Sequence, residues 1–218
     1  MPRPFDLVVF DWDGTVVDST AMIARSIQKA AADLGLRVPS LERASHVIGL
    51  GLRDALAVAV PDLAADRIEA FTERYRHHYI AIEQEIVLFS GIRELLVELT
   101  ESGAVLAVAT GKSRRGLDRS FAATGLGMFF AESRCADETH PKPHPAMLHE
   151  ITAALAMSRQ RTVMIGDTTH DLAMARSAGT ASIGVTYGAH PRAQLEAESA
   201  LALVDDVAEL RTWLMRTR

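Results

Sequence analysis

Two aspartates one residue apart, Asp11 and Asp13, follow directly after the apolar run Leu7–Phe10. If that run is a buried strand of an open α/β sheet, both acids stand at the sheet edge where ligands bind. Two carboxylates about 4 Å apart repel each other by about 4 kcal/mol at an effective dielectric constant near 20, so a cation or a raised pKa is expected. The pair therefore predicts a metal site or proton-transfer chemistry, although a polar turn through Gly14 would use the same residue types.

Asp167 and Asp171 form a second acidic pair, which follows the apolar run Thr162–Ile165. They are four positions apart, so a helix that begins near Thr168 would turn both toward one site. Together with Asp11 they would make an oxygen-rich site of the kind that Mg²⁺ prefers. Helix N-capping also favours acids in the first turn, and this alternative accounts for Asp171 more readily than for Asp167.

A hydroxyl and a glycine amide, from Thr110 and Gly111, follow the apolar run Val105–Ala109. At the start of a helix, both groups suit a phosphoryl oxygen. The Gly-Lys-Ser letters here do not form a P-loop, because that motif needs glycine where Leu106 stands. The segment Gly49–Gly51 lacks the preceding strand of a dinucleotide-binding fingerprint, so it is predicted to be a loop.

Lysine is rare in this chain, which has three lysines against twenty arginines. Because a compact ammonium and a planar guanidinium are not interchangeable at a tight site, Lys29, Lys112 and Lys142 attract attention. Lys142 stands between prolines, and an ammonium held near several carboxylates can stabilise a nucleophile and a transferring phosphoryl group. The nearby His140 and His144 are predicted to be a solvated loop residue and a helix cap.

The elements that must position these residues alternate between strand and helix. The predicted strands are Leu7–Phe10, Val105–Ala109, Met128–Ala131, Thr162–Ile165 and Ser182–Val185, with a candidate sixth at Ala202–Val204. Such alternation predicts an α/β fold with a doubly wound parallel sheet.

About ninety residues with helical periodicity separate the first predicted strand from the second. The predicted helices there are Ser19–Leu34, Leu52–Val60 and Ala64–Gln84. A structureless loop of that length would be unusual, so we interpret the segment as an inserted helical cap domain. The predicted domains are an α/β core of residues 1–16 and 90–218, and a helical cap of residues 17–89.

Composition and charge exclude several classes of protein. The formal net charge of −5 comes from interspersed acids and bases, with no basic stripe that would bind nucleic acid. No apolar stretch reaches the roughly 18 residues needed to span a membrane. Cys135 is the only cysteine, so no intrachain disulfide forms, and a cytoplasmic location is expected. No heptad repeat indicates an oligomeric state.

In this order along the chain, the segments around Asp11, Thr110, Lys142 and Asp167 resemble the four motifs of the haloacid dehalogenase-like superfamily. The resemblance covers the whole chain and includes a C1-type cap after the first motif. It is strongest to the phosphoglycolate phosphatase-like and β-phosphoglucomutase-like branch, and the segment Val185–Gly188 is similar to one that follows motif four in phosphoglycolate phosphatases. The fold implied is a Rossmann-like core with a helical cap.

The resemblance also implies a role for each motif residue. Asp11 would attack phosphorus to form an aspartyl-phosphate, and Asp13 would protonate the leaving oxygen and later activate water. Mg²⁺ would be held by the Asp11 carboxylate, the main-chain carbonyl of Asp13 and the Asp167 carboxylate. The supporting roles fall to four residues: Thr110 and Gly111 would bind the phosphoryl group, Lys142 would neutralise its charge, and Asp171 would position Lys142 or a water on the ion.

The activity implied is a magnesium-dependent phosphatase acting on a small phosphomonoester, with phosphoglycolate as the first candidate. Asp13 argues against dehalogenation, and Lys29, the only lysine of the inferred cap, shows no sign of Schiff-base chemistry. A sugar phosphomutase, a pyrophosphatase and a non-catalytic binding relative stay open as alternatives. In the cap, Arg53 is a candidate substrate-binding residue, with a surface salt bridge as its alternative.

Overall fold

The structure is a computed structural model that describes residues 4–85 and 87–216. Its main sheet has six strands, all parallel, in the order β5-β4-β1-β6-β7-β8. A two-stranded antiparallel ribbon is formed by β2 and β3. The strands are β1 Leu7–Phe10, β2 Val17–Asp18, β3 Val87–Leu88, β4 Val105–Thr110, β5 Glu132–Cys135, β6 Thr162–Gly166, β7 Ala181–Val185 and β8 Ala202–Val204.

Helices cover both faces of the sheet, as expected when strands are apolar on both sides. Val8 and Phe10 of β1 lie in one hydrophobic cluster, while Leu7 and Val9 lie in another on the opposite face. The helices are α1 Thr20–Asp33, α2 Leu41–His46, α3 Leu52–Ala59, α4 Ile68–Ile82, α5 Ile92–Glu101, α6 Arg114–Thr124, α7 Ala146–Ala154, α8 Thr169–Ala178, α9 Arg192–Leu195 and α10 Val207–Leu214. The first cluster is covered by α5, α6 and α10, and the second by α7 and α8. The predicted doubly wound α/β fold is confirmed.

Helices α1–α4 lie between β2 and β3 and share a hydrophobic cluster of their own. Its largest members include Ile27, Leu56 and Phe71, which are buried among these helices and separate from both clusters of the sheet. The three predicted helices of this segment are present with ends that differ by a few residues, and the short helix α2 was not predicted. The ribbon β2–β3 joins the segment to the sheet.

The predicted strand Met128–Ala131 is wrong. A short 3-10 helix occupies Gly127–Phe129, and the edge strand β5 begins at Glu132, which pairs with Ala107 of β4. The apolar side chains of Phe129 and Phe130 pack against the core instead of forming a strand. Polar side chains follow in β5 because an edge strand is only half buried.

Among the described residues, no helix combines the length and the apolar character that crossing a membrane requires.

Candidate active site

The strand order brings three of the four motif segments together. Asp11 follows β1, Thr110 ends β4 and Asp167 follows β6, and these three strands are neighbours in the order β4-β1-β6. The Asp11 amide extends the pairing of β1 with β6, because it donates a 2.8 Å hydrogen bond to the Ile165 carbonyl. Because parallel strands place their carboxyl ends at one edge, side chains 156 positions apart in sequence become neighbours.

Three buried carboxylates converge at this edge. Asp11, Asp167 and Asp171 each place one oxygen within 4.8 Å of the others, and all three are at most 1% exposed. Among the described residues, the Asp11 carboxylate accepts no hydrogen bond of good geometry, and its one ion pair is with Lys142. A buried carboxylate that accepts no well-formed hydrogen bond and lies beside other carboxylates offers the oxygen donors that a hard divalent cation prefers. The Asp13 side chain is outside this group.

Lys142 is buried between two of these acids. Its Nζ lies 2.7 Å from Oδ1 of Asp11 and 2.6 Å from Oδ1 of Asp171. Burial lowers the pKa of Lys142, but the charges of Asp11 and Asp171 outweigh burial and hold the pKa above its ordinary value. The side chain is therefore a fixed ammonium at the point where the sequence predicts one.

The acids carry more charge than one ammonium neutralises. Burial, together with the charges of Asp171 and Asp167, raises the pKa of Asp11 well above its ordinary value, and Lys142 only partly opposes this. Burial and the Asp171 charge raise the pKa of Asp167 to about 7. A divalent cation among these carboxylates would remove the repulsion and favour their ionised forms.

Asp171 caps helix α8, which is one of the alternatives that the sequence left open, and it also contacts Lys142. Its Oδ2 accepts hydrogen bonds from the Thr168 hydroxyl at 2.6 Å and the Thr168 amide at 3.1 Å, which forms a capping box at the start of α8. Its Oδ1 accepts the hydrogen bond from Lys142. A β-carbon on Gly166 would overlap the Asp171 carboxylate, so only glycine fits at the end of β6.

Asp167 is positioned by residues from two other parts of the chain. The Thr15 hydroxyl donates a 2.9 Å hydrogen bond to its Oδ1, and the Ala189 amide donates a 2.7 Å hydrogen bond to its Oδ2. A β-carbon on Gly14 or Gly188 would overlap the same carboxylate. The sequence identified Gly14 and Gly188 as parts of these segments, but it did not predict the contacts with Asp167.

Asp13 makes contacts of its own, separate from the cluster of three carboxylates. Its Oδ1 accepts a 2.6 Å hydrogen bond from the Ser19 hydroxyl and lies 3.0 Å from Nζ of Lys112. The same ammonium donates a 2.9 Å hydrogen bond to the hydroxyl of Tyr79 in α4. Sequence reasoning missed Ser19 and Tyr79, while the scarcity of lysine was the signal that pointed to Lys112.

Thr110 and Gly111 lie where the inserted segment meets the sheet. The Thr110 side chain is buried, and its hydroxyl accepts a 3.2 Å hydrogen bond from the Lys112 amide. A β-carbon on Gly111 would come within 2.6 Å of the carbonyl oxygens of Gly49 and Leu50. The predicted loop at Gly49–Gly51 is thus confirmed as a loop, and it packs directly on Gly111.

A cavity of about 530 Å³ opens between the inserted segment and the sheet edge. Its walls include Asp11, Asp13, Thr110, Lys112 and, from the insertion, Arg53. Arg53 is exposed and makes no ion pair with a described residue, so its salt-bridge alternative is not observed. The cavity lining therefore combines the Asp11 and Asp13 carboxylates with several cationic side chains.

His140 and His144 do not line this cavity. Both side chains are exposed, and their rings contact each other with centroids 4.5 Å apart. Nδ1 of His144 accepts a 3.2 Å hydrogen bond from the Ala146 amide at the start of α7. The predicted loop position of His140 is confirmed, whereas the N-cap of α7 is Pro145 and His144 contacts the first helical amide from the position before it.

Comparisons with known proteins agree with this geometry. The family model for haloacid dehalogenase-like hydrolases matches residues 8–185. A relative from Dickeya dadantii named "Probable phosphatase IndB" is 38% identical over 216 residues, which span 94% of this chain and 91% of the relative. The phosphoglycolate phosphatase of Agrobacterium fabrum is 32% identical over 215 residues, covering 95% of this chain and 92% of that protein.

Among solved structures, a predicted phosphoglycolate phosphatase from Haemophilus somnus superposes with a TM-score of 0.85 at 26% identity, covering 97% of this chain and 99% of that one. The chain belongs to the haloacid dehalogenase-like hydrolase family, in the branch that contains these phosphatases. It is accordingly a hydrolase of phosphate esters.

Proposed function

We propose that this phosphatase is a magnesium-dependent phosphomonoesterase that works through an aspartyl-phosphate on Asp11. The observation that carries the proposal is the Asp11 carboxylate, buried at the base of the cavity and lacking a well-formed hydrogen bond from any described residue. The Lys142 ammonium and two further carboxylates lie around it, and charged groups of this kind suit phosphoryl transfer, since its catalysis consists mainly of positioning and charge stabilisation.

In the first step, a carboxylate oxygen of Asp11 attacks phosphorus as the ester P–O bond breaks, and Asp13 gives a proton to the leaving oxygen. In the second step, Asp13 takes a proton from water as that water attacks phosphorus, which releases phosphate and restores Asp11. Thr110 and the Gly111 amide hold the phosphoryl oxygens, and Lys142, held by Asp171, neutralises their charge. Mg²⁺, bound by Asp11, Asp167 and the main-chain carbonyl of Asp13, would supply further charge stabilisation.

We also propose that residues 17–89 act as a cap domain that closes over a core of residues 1–16 and 90–218. The separate hydrophobic cluster of α1–α4 supports this division, as does the cavity between the two parts. The ribbon β2–β3 is the covalent crossing between them, so opening would occur there. A closed cap would exclude bulk water from the aspartyl-phosphate until the leaving group has departed.

Phosphoglycolate is the first candidate substrate, because several relatives carry that activity in their names. The carboxylate of phosphoglycolate is an anion that Arg53, on the cavity wall, could pair with.

The test is phosphate release from phosphoglycolate, sugar phosphates, other phosphomonoesters and pyrophosphate, each with Mg²⁺ or with chelator. Native protein is expected to turn over at least one ester only with Mg²⁺, and Asp11→Asn is expected to release none. Asp62→Asn, at an exposed position outside the cavity, is the matched control and should keep native activity. No release from any compound by the native protein would contradict the proposal and favour a mutase or a binding protein.

A further inference from the structure

Lys112 has no part in the mechanism above, yet its ammonium lies between the proposed acid/base and the proposed cap. Nζ is 3.0 Å from Oδ1 of Asp13 and 2.9 Å from the hydroxyl of Tyr79. The side chains of Lys112 and Asp13 are each only 9% exposed. A shielded ion pair of this kind is held more firmly than an exposed one, because solvent screens it less.

The contact with Tyr79 comes from the opposite side of the cavity. Tyr79 belongs to α4, is 5% exposed and stacks on Tyr75 with ring centroids 5.9 Å apart. The Lys112 ammonium also lies 4.8 Å from the centre of the Tyr79 ring. Burial raises the pKa of Tyr79 above its ordinary value, and the charges of Asp13 and Glu83 raise it further, so the hydroxyl is neutral and accepts the hydrogen bond.

Both contacts on the Asp13 carboxylate use the same oxygen. Ser19 and Lys112 reach Oδ1, and no hydrogen bond from a described residue reaches Oδ2. Two partners on one oxygen fix the plane of the carboxylate and leave Oδ2 for a ligand in the cavity, which Asp13 lines. Lys112 and Tyr79 line the same cavity.

We propose that Lys112 is a positioning residue that orients Asp13 for proton transfer, and that Tyr79 makes this orientation depend on closure of the cap. The inference rests on the proposed function, in which Oδ2 of Asp13 gives its proton to the leaving oxygen as the P–O bond breaks. With the cap open, Tyr79 withdraws, and Lys112 loses the partner that holds its ammonium against Oδ1. Proton transfer is then efficient only around a bound, enclosed substrate.

Leaving-group dependence separates this role from a merely structural one. An alkyl alkoxide is a poor leaving group and needs the proton, whereas p-nitrophenolate leaves without one. General acid catalysis contributes roughly 10²–10⁴-fold, so a misplaced Asp13 should slow alkyl esters selectively. Loss of phosphoryl binding or of folding would slow both classes alike.

The experiment compares native protein, Lys112→Met and Tyr79→Phe on an alkyl phosphomonoester and on p-nitrophenyl phosphate, both with saturating Mg²⁺. For Lys112→Met, we expect kcat/KM, which reports the first step and not the later hydrolysis of the aspartyl-phosphate, to fall roughly tenfold or more on the alkyl ester and less than about threefold on the aryl ester. Tyr79→Phe keeps the ring and should show the same selectivity with a smaller loss. Lys29→Met, at an exposed position on α1 outside the cavity, should match the native protein on both.

Equal losses of kcat/KM on the two esters would overturn the role of Lys112 and assign it to phosphoryl binding. If Tyr79→Phe hydrolyses both esters like the native protein while Lys112→Met is slowed mainly on the alkyl ester, the proposed dependence on cap closure is overturned. Melting curves of each variant show whether it is folded, and Tyr79→Phe keeps the inference testable if Lys112→Met unfolds. If native protein hydrolyses neither ester, or Asp11→Asn hydrolyses both, the proposed function itself has failed.

Discussion

Two glycines leave the space that the Asp167 carboxylate occupies. Gly14 and Gly188 approach it so closely that a β-carbon on either would overlap it, and the Thr15 hydroxyl and Ala189 amide hold its two oxygens. Contacts of this kind around a metal ligand commonly change metal affinity by roughly 10–100-fold when they are altered. The precision of the proposed magnesium site therefore depends on residues that do not touch the ion.

Gly188→Ala is expected to displace Asp167 and to raise the Mg²⁺ concentration for half-maximal activity by roughly tenfold or more. The measurement is phosphatase activity as a function of Mg²⁺ concentration. Gly125→Ala is the control, because it strains a positive-φ turn in open space far from the site. An unchanged Mg²⁺ requirement in Gly188→Ala would show that Asp167 is not a ligand.

At the scale of elements, two histidines from outside the inserted segment form hydrogen bonds with the carboxyl end of helix α2. His170 and His190 each place Nε2 within hydrogen-bond distance of the His46 carbonyl, at 3.1 Å and 3.0 Å. Nδ1 of His190 accepts a 3.0 Å hydrogen bond from the Thr169 amide, so its proton is on Nε2 and points at that carbonyl. With the Gly49–Gly51 loop seated on Gly111, these contacts tie α2 and the loop after it to the core.

Removing one of these donors should favour opening of the proposed cap. One neutral hydrogen bond contributes about 1 kcal/mol, or roughly a fivefold change in the equilibrium between open and closed forms. We expect His170→Ala to speed amide hydrogen exchange in α2 by about that factor, while strands β1 and β6 exchange as in the native protein. His144→Ala, an exposed histidine outside the cavity, is the control. Unchanged amide hydrogen exchange in α2 would contradict the proposed role of these hydrogen bonds.

At the scale of the whole molecule, the buried acids couple stability to pH and to metal. The folded pKa of Asp167 is about 7, above an ordinary value near 3.8, because burial and the charge of Asp171 disfavour its ionised form. A raised folded pKa means that the folded state binds the proton more tightly than the unfolded state does. The resulting stability is complete below the ordinary pKa and is lost as pH rises through about 7.

In chelator, the melting temperature of the native protein is therefore expected to fall between pH 5 and pH 8 more than that of Asp167→Asn. Mg²⁺ competes with protons for the same oxygens, so it should raise the native melting temperature more at pH 8 than at pH 5. Asp167→Asn should lose most of the Mg²⁺ effect at both pH values. Equal Mg²⁺ effects at the two pH values in the native protein would contradict this coupling.

Most of the fold could be predicted from local patterns, and the one misplaced strand shows where such patterns fail. Phe129 and Phe130 look like strand residues, but they cover the core beside an edge strand whose own residues are polar. A run of apolar residues indicates which side chains are buried, but not whether they form a strand. At a sheet edge, burial depends on neighbours that are distant in sequence. The short helix α2 was missed for a related reason, since only Ala44 among its residues is buried.

What the sequence by itself determined is the set of reactive groups and the edge of the sheet where they meet. Asp11, Thr110 and Asp167 each end or follow an apolar strand, and parallel strands must place those ends together. Tertiary structure alone decided which groups touch, such as Lys112 with Asp13 and Tyr79. Alternation and spacing describe positions along one element, whereas a contact between helix α4 and the sheet edge depends on how the inserted helices pack over the sheet.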